Sequence, residues 1–240
     1  FLGKAEYSFD NKYYVSASFC RDGSSRLSPY SRGGNFFSAG SSWRISKEKF
    51  MEGTSRWLNN LSFKASYGTT GNDNVSSFYA YQGTYSSTDA DAITVNMYTT
   101  PGLTVNTIAT PNLKWEKNQQ FNTGFDFSIL SSRFNGSIEY FSRKAKDLLY
   151  YKELPLSSTT GNATGYNTNL GDIRNSGTEV TINAIPIQTK QFTWNIDYNM
   201  TFLKNKITYL PEGEYSYTGS FAKYKMIEGK SRYEIVGPRY

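Results

Sequence analysis

The chain contains no histidine and one cysteine, Cys20. Without histidine there is no Ser-His-Asp or Cys-His machinery, and the usual histidine-bearing zinc sites are excluded. A lone cysteine cannot close an intramolecular disulfide, so it does not report the redox compartment. No run of about 18 apolar residues occurs, which excludes a transmembrane helix. Phosphate-loop chemistry is missing too: Gly229-Lys230-Ser231 imitates the end of such a loop, but Tyr224 stands where its first glycine belongs. The first residues, Phe1-Leu2-Gly3-Lys4-Ala5, read as mid-strand and not as a basic, apolar leader, so export stays undecided. Catalysis is therefore not expected, and neither is a cofactor or a metal. Asp89 and Asp91 are neighbours in a loop, where calcium is the one ion they would suit.

What the chain does have is aromatic residues, 17% of 240, with 20 Tyr and 16 Phe. That abundance, with charged residues at 19%, marks a folded chain and not a disordered one. Net charge is +6, and residues 222–240 carry a basic excess. It reads either as a polyanion-binding surface or as loop and rim charge. The second reading is preferred, and no nucleic-acid partner is expected. A mean hydropathy of −0.58 looks soluble, but β-barrels conceal their lipid face in alternation.

Alternation is the dominant pattern. From 113 to 149, Phe121, Thr123, Phe125, Phe127 and Ile129 share one parity, against Gln120, Asn122, Gly124, Asp126 and Ser128. After a turn at 130–133, Phe134, Gly136, Ile138 and Tyr140 oppose Asn135, Ser137 and Glu139. This predicts an antiparallel hairpin with a Phe-rich face and a polar face. Similar strands are predicted at 2–10, 12–21, 35–46, 60–68, 168–185 and from 192 to about 200, with a weaker one at 222–236. A short helical turn is expected within 47–59. The stretch 69–112 reads as long and irregular, and 150–167 and 208–221 read as polar loops. Tight connections alternate with long ones, as in outer-membrane barrels, with 47–59 the poorest fit to that pattern. The count, about nine strands, suits an arc of a larger barrel, since bacterial single-chain barrels close with even numbers. A soluble β-rich carbohydrate-binding or adhesin module would also alternate, but with a denser Ile/Val/Leu core.

Several motifs occur in one order: Asp22-Gly23-Ser24-Ser25-Arg26, Trp43-Arg44-Ile45-Ser46, Ser66-Tyr67-Gly68 with Thr70-Gly71-Asn72, Pro111-Asn112-Leu113-Lys114-Trp115-Glu116, Asp147-Leu148-Leu149, and Asn169-Leu170-Gly171-Asp172 running on to Glu179. In this order and spacing the chain resembles the SusC/RagA-like TonB-dependent transporters over nearly its whole length. The resemblance implies an all-β fold, part of a transmembrane outer-membrane barrel of about 22 antiparallel strands. It implies residence in the outer membrane of a Bacteroidetes-type Gram-negative cell, in contact with outer-membrane lipid. It implies a SusD-like surface lipoprotein as lid, TonB as energy source, and oligosaccharide or oligopeptide as cargo. The plug and N-terminal domain of that family have no counterpart in these residues, so TonB coupling is not assigned to any of them.

Candidate ligand-binding residues fall in two groups. Tyr79, Tyr81, Tyr85 and Tyr98 lie in the longest loop, where aromatic faces either stack on cargo or pack the loop on itself. Asn122, Asp126, Asn195 and Asp197 share the polar parity, where they either meet hydrated cargo or simply wet the interior.

Overall fold

Turn chemistry sets the first hairpin. β1 (Leu2–Phe9) and β2 (Tyr13–Gly23) join at Asp10 and Asn11, whose φ angles are +52° and +50°. They are the central pair of a tight turn closed by the Lys12 amide on the Phe9 carbonyl at 3.0 Å, and Asp and Asn tolerate the left-handed region. The computed structural model describes residues 1–75, 77–95, 98–158, 162–218, 223–232 and 234–235. Along the chain follow β3 (Gly33–Arg44), β4 (Leu58–Asn72), β5 (Thr84–Val95), β6 (Tyr98–Thr107), β7 (Glu116–Ile129) and β8 (Phe134–Lys146). Then come β9 (Leu149–Glu153), β10 (Gly165–Asn169), β11 (Asp172–Gln188), β12 (Thr193–Tyr209), β13 (Glu214–Thr218), β14 (Lys223–Ile227) and β15 (Glu234–Ile235). The β7–β8 turn places Leu130, Ser131 and Ser132 at positive φ.

Eight of these strands form one antiparallel sheet in the order β1-β2-β3-β4-β7-β8-β11-β12. The remaining strands make small sheets, β5–β6, β9–β10 and β13–β14–β15, inside the long connections. The short connections 10–12, 130–133 and 189–192 therefore gather at one end of the wall with 45–57, which is longer than its neighbour 24–32 at the other end. The hairpin β5–β6 occupies part of the stretch expected to be irregular. Of the stretch 222–236, expected as a weak further wall strand, β14 and β15 enter the small three-stranded sheet. At five residues β14 is shorter than the roughly 9–11 a spanning strand needs. The helical turn expected within 47–59 forms as the 3-10 turn Lys49–Thr54, and a second, Ile45–Lys47, precedes it at the expected end of the third strand. Glu48 between them accepts hydrogen bonds from the Tyr13 hydroxyl (2.5 Å) and the Trp43 indole (3.1 Å). Those two donors, the hydroxyl above all, hold its carboxyl below the usual carboxylate range.

Register sorts the side chains. Direct pairing across the sheet links Phe9, Tyr13, Trp43, Phe63, Phe125, Ile138, Val180 and Met200 in one unbroken apolar row. Ring pairs within it lie 6.5 Å apart (Tyr13–Trp43) and 5.1 Å apart (Phe63–Phe125). The neighbouring row on the opposite face reads Ser8, Tyr14, Ser42, Lys64, Gly124, Glu139, Glu179 and Thr201. A sandwich would bury the apolar row. Here Phe125 stays 46% exposed and Ile138 49%.

Burial is concentrated at the long-loop end. Leu27, Phe36, Val75, Ala80, Leu113 and Trp115 form one cluster, and Leu170, Ile173, Ile207, Leu210 and Met226 another. Phe36 and Trp115 meet edge to face at 5.5 Å. Gly71 is required beneath them, because a Cβ there would come within 2.1 Å of the Phe36 ring.

Candidate functional site

The polar face is built on small residues. Glu6, Ser16, Gly40, Ser66 and Asn122 pair in succession across five strands, leaving room above the sheet. A groove of about 600 Å³ lies there, lined by Glu6, Tyr14, Lys64, Asn122, Asp126 and Glu139 among others. Lys64 forms an ion pair with Asp126. A second groove of about 540 Å³ continues along the same face past Ser38, Gly68, Gln120 and Arg143, and shares Asn122 with the first. Gln120 donates to the Asn122 side-chain oxygen at 3.2 Å. Glu139 and Glu179 sit directly opposite one another. Such like-charged neighbours are tolerated where water or a cation screens them.

The eight residues singled out from sequence do not form one site. Asn122 and Asp126 share the first groove. Asn195 and Asp197 lie on β12, three ladder spacings from β7, or roughly 14 Å. Asp197 is engaged by the Asn183 amide at 2.6 Å. In the longest loop, Tyr79 and Tyr85 are 63% and 68% exposed. Tyr81 is packed against the first apolar cluster, and its hydroxyl accepts from Arg32 (3.2 Å) and Gln82 (3.0 Å). The side chains of Tyr98, Asp89 and Asp91 lie outside the described residues. Among the described residues no group of three acidic, cysteine or histidine side chains could hold a metal.

Sequence reasoning missed a hydrogen-bonded knot at the long-loop end. The Asn169 side chain donates to the Lys114 carbonyl (2.9 Å) and the Asp147 carbonyl (2.7 Å), and accepts from the Lys114 amide (3.0 Å). The buried Glu116 carboxylate accepts the Leu149 amide at 3.1 Å. Asp172 accepts the Asp147 amide at 3.1 Å and pairs with Lys144 at 3.0 Å. Three of the ordered motifs thus converge in space on backbone groups that would otherwise lack partners. The ordered recurrence of those motifs was the available signal, but single-sequence periodicity gives no reason to bring them together.

Comparison with known proteins bears on the same features. A family profile described as "TonB dependent receptor-like, beta-barrel" matches residues 3–235. The chain belongs to the TonB-dependent receptor β-barrel family. It is 36% identical to the TonB-dependent receptor SusC of Bacteroides thetaiotaomicron over 221 residues, 89% of this chain and 21% of SusC. It is 31% identical to TonB-dependent receptor P39 of Formosa agariphila over 239 residues, 96% of this chain and 21% of that protein. A solved structure of the RagAB peptide transporter superposes with a TM-score of 0.82 at 26% identity, covering 98% of this chain and 24% of that one. The chain spans about a fifth of the length of the relatives it matches. Transmembrane β-barrels carry an apolar band outward and a polar interior, a division that the apolar row and the grooved polar face match. The family consists of receptors and transporters, not enzymes.

Proposed function

We propose that this chain is part of the barrel wall of an outer-membrane, TonB-dependent importer of large nutrients, oligosaccharide or oligopeptide, in a Bacteroidetes-type Gram-negative cell. The observation that carries the proposal is the two-faced wall: an unbroken exposed apolar row on one side and a small-residue polar groove on the other. Membership of the family and the likeness to SusC and RagAB support it. In this reading TonB acts through a plug outside these residues, and a SusD-like lipoprotein covers the long-loop end. Tyr79 and Tyr85 meet cargo at the rim, and Asn122 and Asp126 meet it within the groove. Asn195 and Asp197 wet the wall further on. Tyr81 serves the loop's packing. A soluble carbohydrate-binding or adhesin module finds no support in an apolar face left this open.

The test is uptake of labelled oligosaccharide and oligopeptide pools by cells with and without the full-length gene, and with and without TonB. Loss of uptake of one pool in both deletions is expected, together with recovery of a lipoprotein alongside the tagged protein. Recovery of the full-length protein in the soluble fraction, or uptake unchanged by either deletion, overturns the reading.

A further inference from the structure

The outward face changes character abruptly toward the long-loop end. On β12 the outward residues run Trp194, Ile196, Tyr198, Met200 and Phe202, then Lys204 and Lys206. The apolar part covers about 27 Å of strand, or about 20 Å once tilted as barrel strands are. Lys204 therefore stands at the edge of the apolar band. Lys204 faces Ser176, and from the height of Lys206 outward the neighbouring strands are also cationic. Arg174 is paired directly with Lys144 on one side and Lys206 on the other, and Lys117 is paired directly with Lys146. The outward positions of β2–β4 at that level offer Arg21 but otherwise Asn35, Thr69 and glycines.

Cations placed directly opposite one another across a ladder repel and weaken the pairing. Asp172 answers Lys144 at 3.0 Å, and Arg174 donates to the Ser142 hydroxyl at 3.1 Å. Among the described residues Lys117, Lys146, Arg174, Lys204 and Lys206 make no ion pair. The patch faces away from the apolar cluster of Ile173, Ile207 and Leu210, which loops cover on the inward side. It is thus a concentrated charge, neutralised only at Lys144, and continuous with the apolar band.

We propose that the outward cations of β7, β8, β11 and β12 bind the phosphate groups of lipid headgroups in the leaflet at the long-loop end. The inference rests on the outward face meeting lipid, as in the proposed function. Arg174 supplies a fork suited to a phosphate, and the lysines supply point charges around it. The occupant is lipid and not a free anion, because Phe202 and Met200 directly below hold acyl chains against the same strands. Headgroups seated there relieve the cross-strand repulsion and fix the height of the wall in the bilayer.

The full-length protein is reconstituted in nanodiscs of phosphatidylcholine with phosphatidylglycerol, and in phosphatidylcholine alone. The lipid retained on extraction is counted by native mass spectrometry. Wild type is expected to enrich phosphatidylglycerol, and each of Lys204→Gln, Lys206→Gln and Arg174→Gln is expected to weaken retention about fivefold. Arg174→Lys retains part of it, and Lys190→Gln, in the tight turn at the opposite end, changes nothing. Equal retention by wild type and variants overturns the inference. So does complete displacement by inorganic phosphate, which would mark a free-anion site, or recovery of an acidic protein on the patch in place of lipid. If the protein enters neither nanodisc, the wall reading itself fails. If it enters both without preference, only this inference does.

Discussion

Asn169 makes three backbone contacts with one side chain. Asn169→Ala is expected to cost about 1–3 kcal/mol, because two carbonyls and an amide lose their partner at once. The loss should be local: amide exchange at Leu148 and Leu149 accelerates in the full-length protein while β7 and β8 stay protected. Unchanged exchange there would show that the knot does not depend on this side chain. Tyr81 carries the opposite lesson. In sequence it is indistinguishable from Tyr79 and Tyr85, since all three are tyrosines in one irregular loop. Only the arrival of Arg32 and Gln82 at its hydroxyl separates a packing residue from the exposed pair. Loop side chains have no period from which a face can be read, so their roles stayed hidden until the chain was folded.

At the scale of the strand the sequence was far more legible. Period-2 alternation located the eight wall strands, because each carries an apolar face and a polar one. The hairpin β5–β6 was not visible, since Thr84–Val95 is mostly Ser, Thr, Asp and Ala and shows no apolar parity. Its ladder is made by backbone pairing, which composition does not announce. The weak strand expected at 222–236 had a few alternating residues but not enough length to join the wall. Phe125 lies mid-strand, paired with Phe63 and Ile138 in the apolar row. Phe125→Arg is expected to cost roughly 2–4 kcal/mol of barrel stability in detergent or bilayer, the penalty for a cation near the midplane. An unchanged unfolding midpoint would mean that this face does not meet lipid.

For the whole molecule, the decisive property is that among the described residues no second sheet covers the apolar rows of the eight-stranded sheet. Within these residues β1 and β12 each leave one edge unpaired, and the apolar rows stay open. Both features drive association in water. The isolated 240-residue chain is accordingly expected to self-associate in buffer without detergent, as read by size-exclusion light scattering. A monodisperse monomer there would contradict the wall architecture. The small residues of the polar face leave the groove that holds Asn122 and Asp126, while Asn195 and Asp197 stand on β12, three strands beyond β7.

The amino-acid sequence by itself determined which residues alternate, where the chain turns sharply, and which chemistries are absent, because these follow from side-chain type and local backbone preference. Tertiary structure alone decided which motifs meet, which tyrosine is packed, and that cations distant in sequence line up as neighbours above an apolar band. The physical reason is register: strand pairing sets, residue against residue, contacts between positions that periodicity within a single strand leaves unrelated.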